Sequence, residues 1–182
     1  MKTKRYATLA IALVLAAALA GLLYAALKPP ALPLGARMPA IAFASSDGAD
    51  TLRPAPAQNT LVILFSLRCS HCLYELDLFE KHIDQLAGAR IYLATTDRDF
   101  TPGVDNLRWP ALSRAENFIW ARLEEKQYAR HFGAAISPCF FIFDHEGVLR
   151  EKIRGEIKLE ALLARIELAS ASVIKNEILQ NQ

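Results

Sequence analysis

The chain opens on an unbroken apolar block. In "MKTKRYATLAIALVLAAALAGLLYAALKPP" the run Tyr6–Leu27 carries no charge and has no polar face, with Lys2, Lys4 and Arg5 ahead of it and Lys28 behind. As a helix rising about 1.5 Å per residue, the run is long enough to cross a hydrocarbon layer of about 30 Å, and its basic flank is the cytoplasmic side. The pattern predicts one N-terminal transmembrane helix over 1–27. The alternative is a cleaved signal peptide with "ALA" at 18–20 as the small-residue cleavage site. Either reading exports the rest of the chain. "KPPALPLGA" at 28–36 is proline-rich and reads as an extended linker.

Beyond it, hydrophobic patterning predicts a mixture of strands and helices. "MPAIAFASSDGADTLRPAPAQNT" combines short apolar pieces with turn signals and reads as an irregular lead-in or a hairpin. "TLVILFS" at 60–66 is a continuous apolar, β-branched run, the signature of a central strand buried on both faces. Cys72, Leu76, Phe79, Ile83 and Leu86 then recur at helical spacing, opposite Asp77, Glu80, Lys81, Asp84 and Gln85, and Gly88 supplies a stop. "ARIYLAT" at 89–95 predicts a second strand, joined to the first by a right-handed crossover. Residues 97–113 read as loop and 115–131 as an interrupted helix. "CFFIFD", "HEG" and "VLREKIRG" predict a β-hairpin over 139–155. A last helix is expected over about 157–170, with a polar tail over 171–182.

Length and charge narrow the classes. A chain of 182 residues supports one domain with a real core, expected over 37–170. The whole chain has 21 basic and 19 acidic residues; without Lys2, Lys4 and Arg5 the balance is 18 to 19. No basic patch points to a nucleic-acid partner. Three cysteines are too few for a disulfide scaffold in a domain of this size.

The chemistry concentrates in "CSHC", Cys69 to Cys72. Cys69 falls where a buried strand ends and a helix begins, and the unpaired amides and positive end of that helix favour an anion there. Cys72, one turn on, lies on the same side and tends towards burial. The pair therefore has an expected attacking member and an expected resolving member. His71 can donate to the Cys69 thiolate or carry positive charge near it, and Arg68 can push the same way. A zinc site needs about four ligands, yet Cys139 stands alone and His82, His131 and His145 show no pair spacing. A c-type haem site needs histidine at 73, where Leu73 stands. A static disulfide would close too short a loop to staple much. Cys139 reads either as a small buried hydrophobe or as a third redox thiol.

A strand, CxxC and an amphipathic helix, followed by "AISPCFFIFDHEGVLREKIRG", resembles the thioredoxin superfamily. The anchor, the lead-in "LGARMPAIAF" and the long interval from Cys69 to Pro138 resemble its membrane-anchored TlpA/ResA-type branch. The resemblance covers about residues 35–168 and implies an α/β thioredoxin-like fold, a central mixed sheet flanked by helices. By that match Pro138 is a cis-proline facing the CxxC, Ser137 offers its backbone to a substrate chain, and Cys69–Cys72 is the redox-active disulfide. The branch motif CxxCxxE implies that Glu75 tunes the cysteines or moves protons. Arg68 stands where an aromatic is usual, Asp77 where a proline is usual, and Ile63 where cytosolic thioredoxins bury an acid. Ser70-His71 is closer to the Pro-His of DsbA-type oxidases than to the Gly-Pro of thioredoxin.

The resemblance implies a thiol-disulfide oxidoreductase, of the reductase type, held by its N-terminal helix in a bacterial inner membrane with the domain in the periplasm, or released there if the leader is cleaved. Its substrates would be protein thiols or disulfides, including apocytochrome c, and its electron donor a membrane protein of the DsbD/CcdA type. It implies no cofactor and no metal. The alternatives are a DsbA-like thiol oxidase, a non-catalytic thioredoxin-like binding module, and a peroxiredoxin-like peroxidase. The last rests on Ser66-Leu67-Arg68-Cys69 as a T/S-x-x-C, although Val62 replaces the upstream proline expected there.

Overall fold

The computed structural model describes the backbone of residues 2–27 and 32–180 and the side chains of 11–24 and 32–170. Residues 28–31 of the expected linker lie outside the described residues. The first helix, α1 (Lys2–Leu27), is followed by a hairpin, β1 (Ala42–Ser45) and β2 (Gly48–Thr51), where the sequence left a lead-in or hairpin open. Then come β3 (Asn59–Leu64), α2 (Ser70–Lys81), β4 (Ala89–Thr95), α3 (Pro110–Arg114), β5 (Phe118–Leu123) and α4 (Glu125–Phe132). The domain closes with β6 (Cys139–Phe143), β7 (Leu149–Arg154) and α5 (Leu159–Gln180). Short 3-10 turns cover Ile83–Leu86 and Asp105–Arg108. Among the described residues no helix is long and apolar enough to cross a membrane.

The strands form one mixed sheet in the order β2-β1-β5-β4-β3-β6-β7. β3, β4 and β5 run parallel, and β1 and β6 close on them antiparallel. Every residue of β3 is buried, as its continuous apolar run requires of a strand covered on both faces. One face carries Leu61, Ile63, Ile91, Leu93, Trp120 and Phe140 against α2, α3 and α5. The other carries Val62, Leu64, Tyr92, Phe141 and Phe143 against α4 and the lead-in. The lead-in docks by backbone: Gly35 donates to the Leu149 carbonyl at 2.8 Å and Met38 to the Gly147 carbonyl at 2.7 Å.

Three parts of the sequence reading change. Residues 118–123 are a strand, where an interrupted helix over 115–131 was expected. Only 125–132 is helical. Phe118, Ile119 and Trp120 are strand formers, and parallel pairing with Ile91, Tyr92 and Leu93 overrides the helical tendency of the segment that follows. Asp77 and Glu80 do not simply face solvent. Glu80 accepts from the amides of Ala111 and Leu112 at 2.8 and 2.9 Å, so α2 supplies the N-terminal cap of α3. Trp109 Nε1 donates to Asp77 at 2.7 Å, which makes 105–114 a structured element instead of a plain loop. Finally, α5 continues past 170 to Gln180, through most of the expected tail.

The 144–148 turn explains its residues. Asp144 is fully buried; it accepts from the amides of Glu146 and Val148 at 3.0 and 2.9 Å and from Arg150 Nε at 2.5 Å. Gly147 sits at φ 76°, and a Cβ there would meet Pro54 at 2.4 Å, so both backbone and space demand glycine.

Candidate active site

Cys69 is the N-cap of α2, with extended backbone at φ −102°, ψ 110°. Its sulfur accepts from the Cys72 amide at 3.3 Å and so does the work a Ser or Asp oxygen does at most helix starts. The strand-to-helix position read from the sequence is thus realised: one sulfur lies on the exposed amides of a helix N-terminus, where negative charge is stabilised. Cys69 is half-buried and Cys72 buried, and both are free thiols. Burial, and then the interaction with Cys69, push the Cys72 thiol up to about 12, against the pull of the Ser66 backbone and the Ser137 side chain. The two sulfurs are therefore unequal, one presented at a helix end and one held protonated beneath it.

Opposite the pair lies the start of β6. The Ser137–Pro138 bond is cis, as the resemblance implies. The Ser137 carbonyl is 3.8 Å from the Cys69 sulfur. The segment before Cys69 is anchored by a residue that sequence reading missed. Asp97 accepts from the Ser66 hydroxyl at 2.7 Å and from the Leu67 amide at 3.0 Å. Ser66 in turn accepts the Arg68 amide at 3.2 Å, and its carbonyl accepts from the Cys69 amide at 3.1 Å. The only sequence signal for Asp97 was an acid just after a buried strand, too common to single out.

The residues expected to tune the thiols divide. Arg68 turns from the thiols and pairs with Asp99 at 2.6 Å, both exposed; the pairing raises the guanidinium and lowers the carboxyl. His71 is exposed and its Nδ1 is bound to the carboxylate of Glu156. The expected proximity of its proton to Cys69 is not realised through Nδ1. Ser70 is exposed at the first position of α2. Glu75 is buried: Oε1 accepts from the Ile157 amide at 3.0 Å, and Oε2 has no partner among the described residues. Burial drives its carboxyl upwards, opposed by the Ile157 amide and reinforced by the nearby Glu156.

Cys139 stands apart. It starts β6 beside Leu64, and its side chain packs with Leu64, Tyr128 and Phe141 on the face opposite the one that buries Cys72. Burial raises its thiol despite Lys152 and Arg154. The structure favours the small buried hydrophobe over a third redox thiol. Among the described residues no group of three or more His, Cys, Asp or Glu side chains is placed to hold a metal ion.

Solved structures share the fold. Over 76% of this chain and 99% of the other, it is similar to a candidate thiol:disulfide interchange protein DsbE from Chlorobium tepidum, with 20% identity and a TM-score of 0.61. It also resembles a thio-disulfide isomerase from Thermus thermophilus, at 20% identity and TM-score 0.55, over 76% of this chain and 97% of that one. A peroxiredoxin-like protein from Aquifex aeolicus matches at 16% identity and TM-score 0.61, over 78% and 90%. No protein-family model and no curated protein sequence matches the chain. These likenesses establish a thioredoxin-like α/β fold.

Proposed function

We propose that this chain is an exported thiol-disulfide oxidoreductase of the reductase type, tethered to a bacterial inner membrane with its domain in the periplasm. The observation that carries the reading is the asymmetric pair: Cys69 capping α2 beneath the cis Ser137–Pro138 turn, and Cys72 buried behind it. The fold shared with thiol-disulfide oxidoreductases supports it.

In this reading the Cys69 thiolate attacks one sulfur of a protein disulfide. A mixed disulfide forms and the second substrate sulfur leaves as a thiolate that takes up a proton. Cys72 then gives up its proton and attacks the Cys69 sulfur, releasing the first substrate sulfur and leaving a Cys69–Cys72 disulfide. The substrate gains two electrons and two protons, and this protein loses them. Glu75, buried three residues after Cys72, is the acid that would exchange the proton Cys72 must lose. Ser137 and Pro138 would receive the substrate backbone, and a membrane donor of the DsbD/CcdA type would restore the dithiol. The tether rests on the run Tyr6–Leu27 behind Lys2, Lys4 and Arg5, which extends beyond the described side chains at both ends of 11–24.

A peroxidase is the second reading, favoured by the peroxiredoxin-like neighbour. Insulin reduction and peroxide consumption by the full chain in mild detergent separate the two. Insulin reduction lost in Cys69→Ser is expected. Peroxide consumption without insulin reduction would reverse the order, and inactivity in both would leave a binding module.

A further inference from the structure

We propose that Glu156 is a positioning residue that sets the redox poise of the Cys69–Cys72 pair by engaging the Nδ1 proton and the charge of the His71 imidazole, so that neither is offered to the Cys69 sulfur. The inference rests on the dithiol reading given above. A carboxylate only accepts hydrogen bonds, so Nδ1 of His71 carries the proton that it donates to Glu156. In a neutral ring, Nε2 is then an acceptor with no proton to offer a thiolate. In a charged ring, the cation is matched by the carboxylate, and the pair adds almost no net charge near the sulfur. A histidine between two active-site cysteines makes their disulfide a stronger oxidant by stabilising the thiolate with its proton or its charge. Glu156 withdraws both, so a CSHC motif that reads as oxidase-like from its dipeptide is returned towards the reductase range.

The placement of Glu156 comes from the backbone on either side of it. The Gly155 amide donates to the carbonyl of Pro138 at 2.9 Å, and the Ile157 amide donates to Glu75 at 3.0 Å. Residues 155–157 thus bridge the cis-proline turn and the buried acid, and the side chain between those two anchors reaches the CxxC histidine. His71 and Glu156 side chains are 65% and 50% exposed, so their coupling is that of a surface pair and its effect is modest.

The test equilibrates the full chain in mild detergent with glutathione redox buffers and counts alkylated thiols. Glu156→Ala, which removes the acceptor as well as the charge, is expected to move the equilibrium towards the dithiol about two- to fivefold, roughly 10–20 mV at 29.6 mV per tenfold. In a His71→Ala background the same substitution is expected to do nothing, because no imidazole remains to be held. An unchanged equilibrium in Glu156→Ala, or an equal shift with and without His71, overturns the inference while the dithiol reading stands. A wild-type chain with no two-electron dithiol–disulfide equilibrium overturns the dithiol reading, and the inference with it.

Discussion

The backbone amide of Cys72 donates to the sulfur of Cys69 across 3.3 Å, so the two cysteines of the motif are tied together as free thiols. Cys69 caps the helix from its half-exposed end, while Cys72 is buried and its thiol is pushed up to about 12. Cys72 thus carries far less thiolate at neutral pH than an ordinary exposed thiol. Brief iodoacetamide treatment of the reduced native chain should therefore label Cys69 alone. Cys72 and Cys139 should react only after denaturation, as mass spectrometry would show. Equal labelling of Cys69 and Cys72 would remove the division into attacking and resolving thiols.

The same asymmetry predicts the behaviour of Cys72→Ala. On the proposed mechanism Cys72 is the resolving sulfur, and without it a substrate disulfide attacked by Cys69 has no intramolecular exit. Mixed disulfides should accumulate in cells and run as reducible adducts on gels, while insulin reduction falls to background. Cys69→Ser should give neither adducts nor activity.

Glu75 links stability to pH. Burial raises its carboxyl above the unfolded value, so the native state holds the proton more tightly than the unfolded chain. That contribution is fully present below the unfolded carboxylate range and is lost as pH rises through the raised folded value. Glu75→Gln keeps an acceptor for the Ile157 amide and never ionises. Thermal unfolding of the full chain should show a smaller decline from pH 4.5 upwards in Glu75→Gln than in the wild type. Parallel curves would show that the buried acid makes no pH-dependent contribution.

Asp97 holds the approach to Cys69. Asp97→Ala leaves the Leu67 amide and the Ser66 hydroxyl without their acceptor, a loss of about 1–3 kcal/mol, whereas Asp97→Asn retains an oxygen and should recover most of it. Because the freed segment carries Cys69, the attacking cysteine of the proposed mechanism, kcat/KM for insulin should fall in Asp97→Ala and be largely rescued in Asp97→Asn. A full stability loss with unchanged kinetics would confine Asp97 to folding.

Asp144 supplies a control at the far end of β6. Its buried carboxylate is bound by two amides and Arg150, so Asp144→Ala should cost on the order of 3 kcal/mol in thermal unfolding. The reduction potential of the surviving folded fraction should not move.

What the sequence determined by itself was local. The apolar, β-branched run at 60–66 predicted a buried strand, and the 3.6-residue recurrence from Cys72 to Leu86 predicted the helix after it. That helix ends at Lys81 and gives way to a 3-10 turn over Ile83–Leu86. The junction placed Cys69 at a helix start. Those patterns are written in neighbouring residues, so they survive without knowledge of the fold. The cis Ser137–Pro138 turn came from resemblance, since only about 5–6% of Xaa-Pro bonds are cis and nothing local selects this one. Tertiary structure decided the rest. Residues 118–123 became a strand because β4 offered them an edge. Cys139 was turned to the opposite face by the two-residue alternation of β6 about its register with Leu64. Asp97 reaches Ser66 across 31 positions and Glu156 reaches His71 across 85. Contacts at such separations leave no periodic trace, because they arise only when the sheet brings distant loops to one end, and there the partners of the dithiol were chosen.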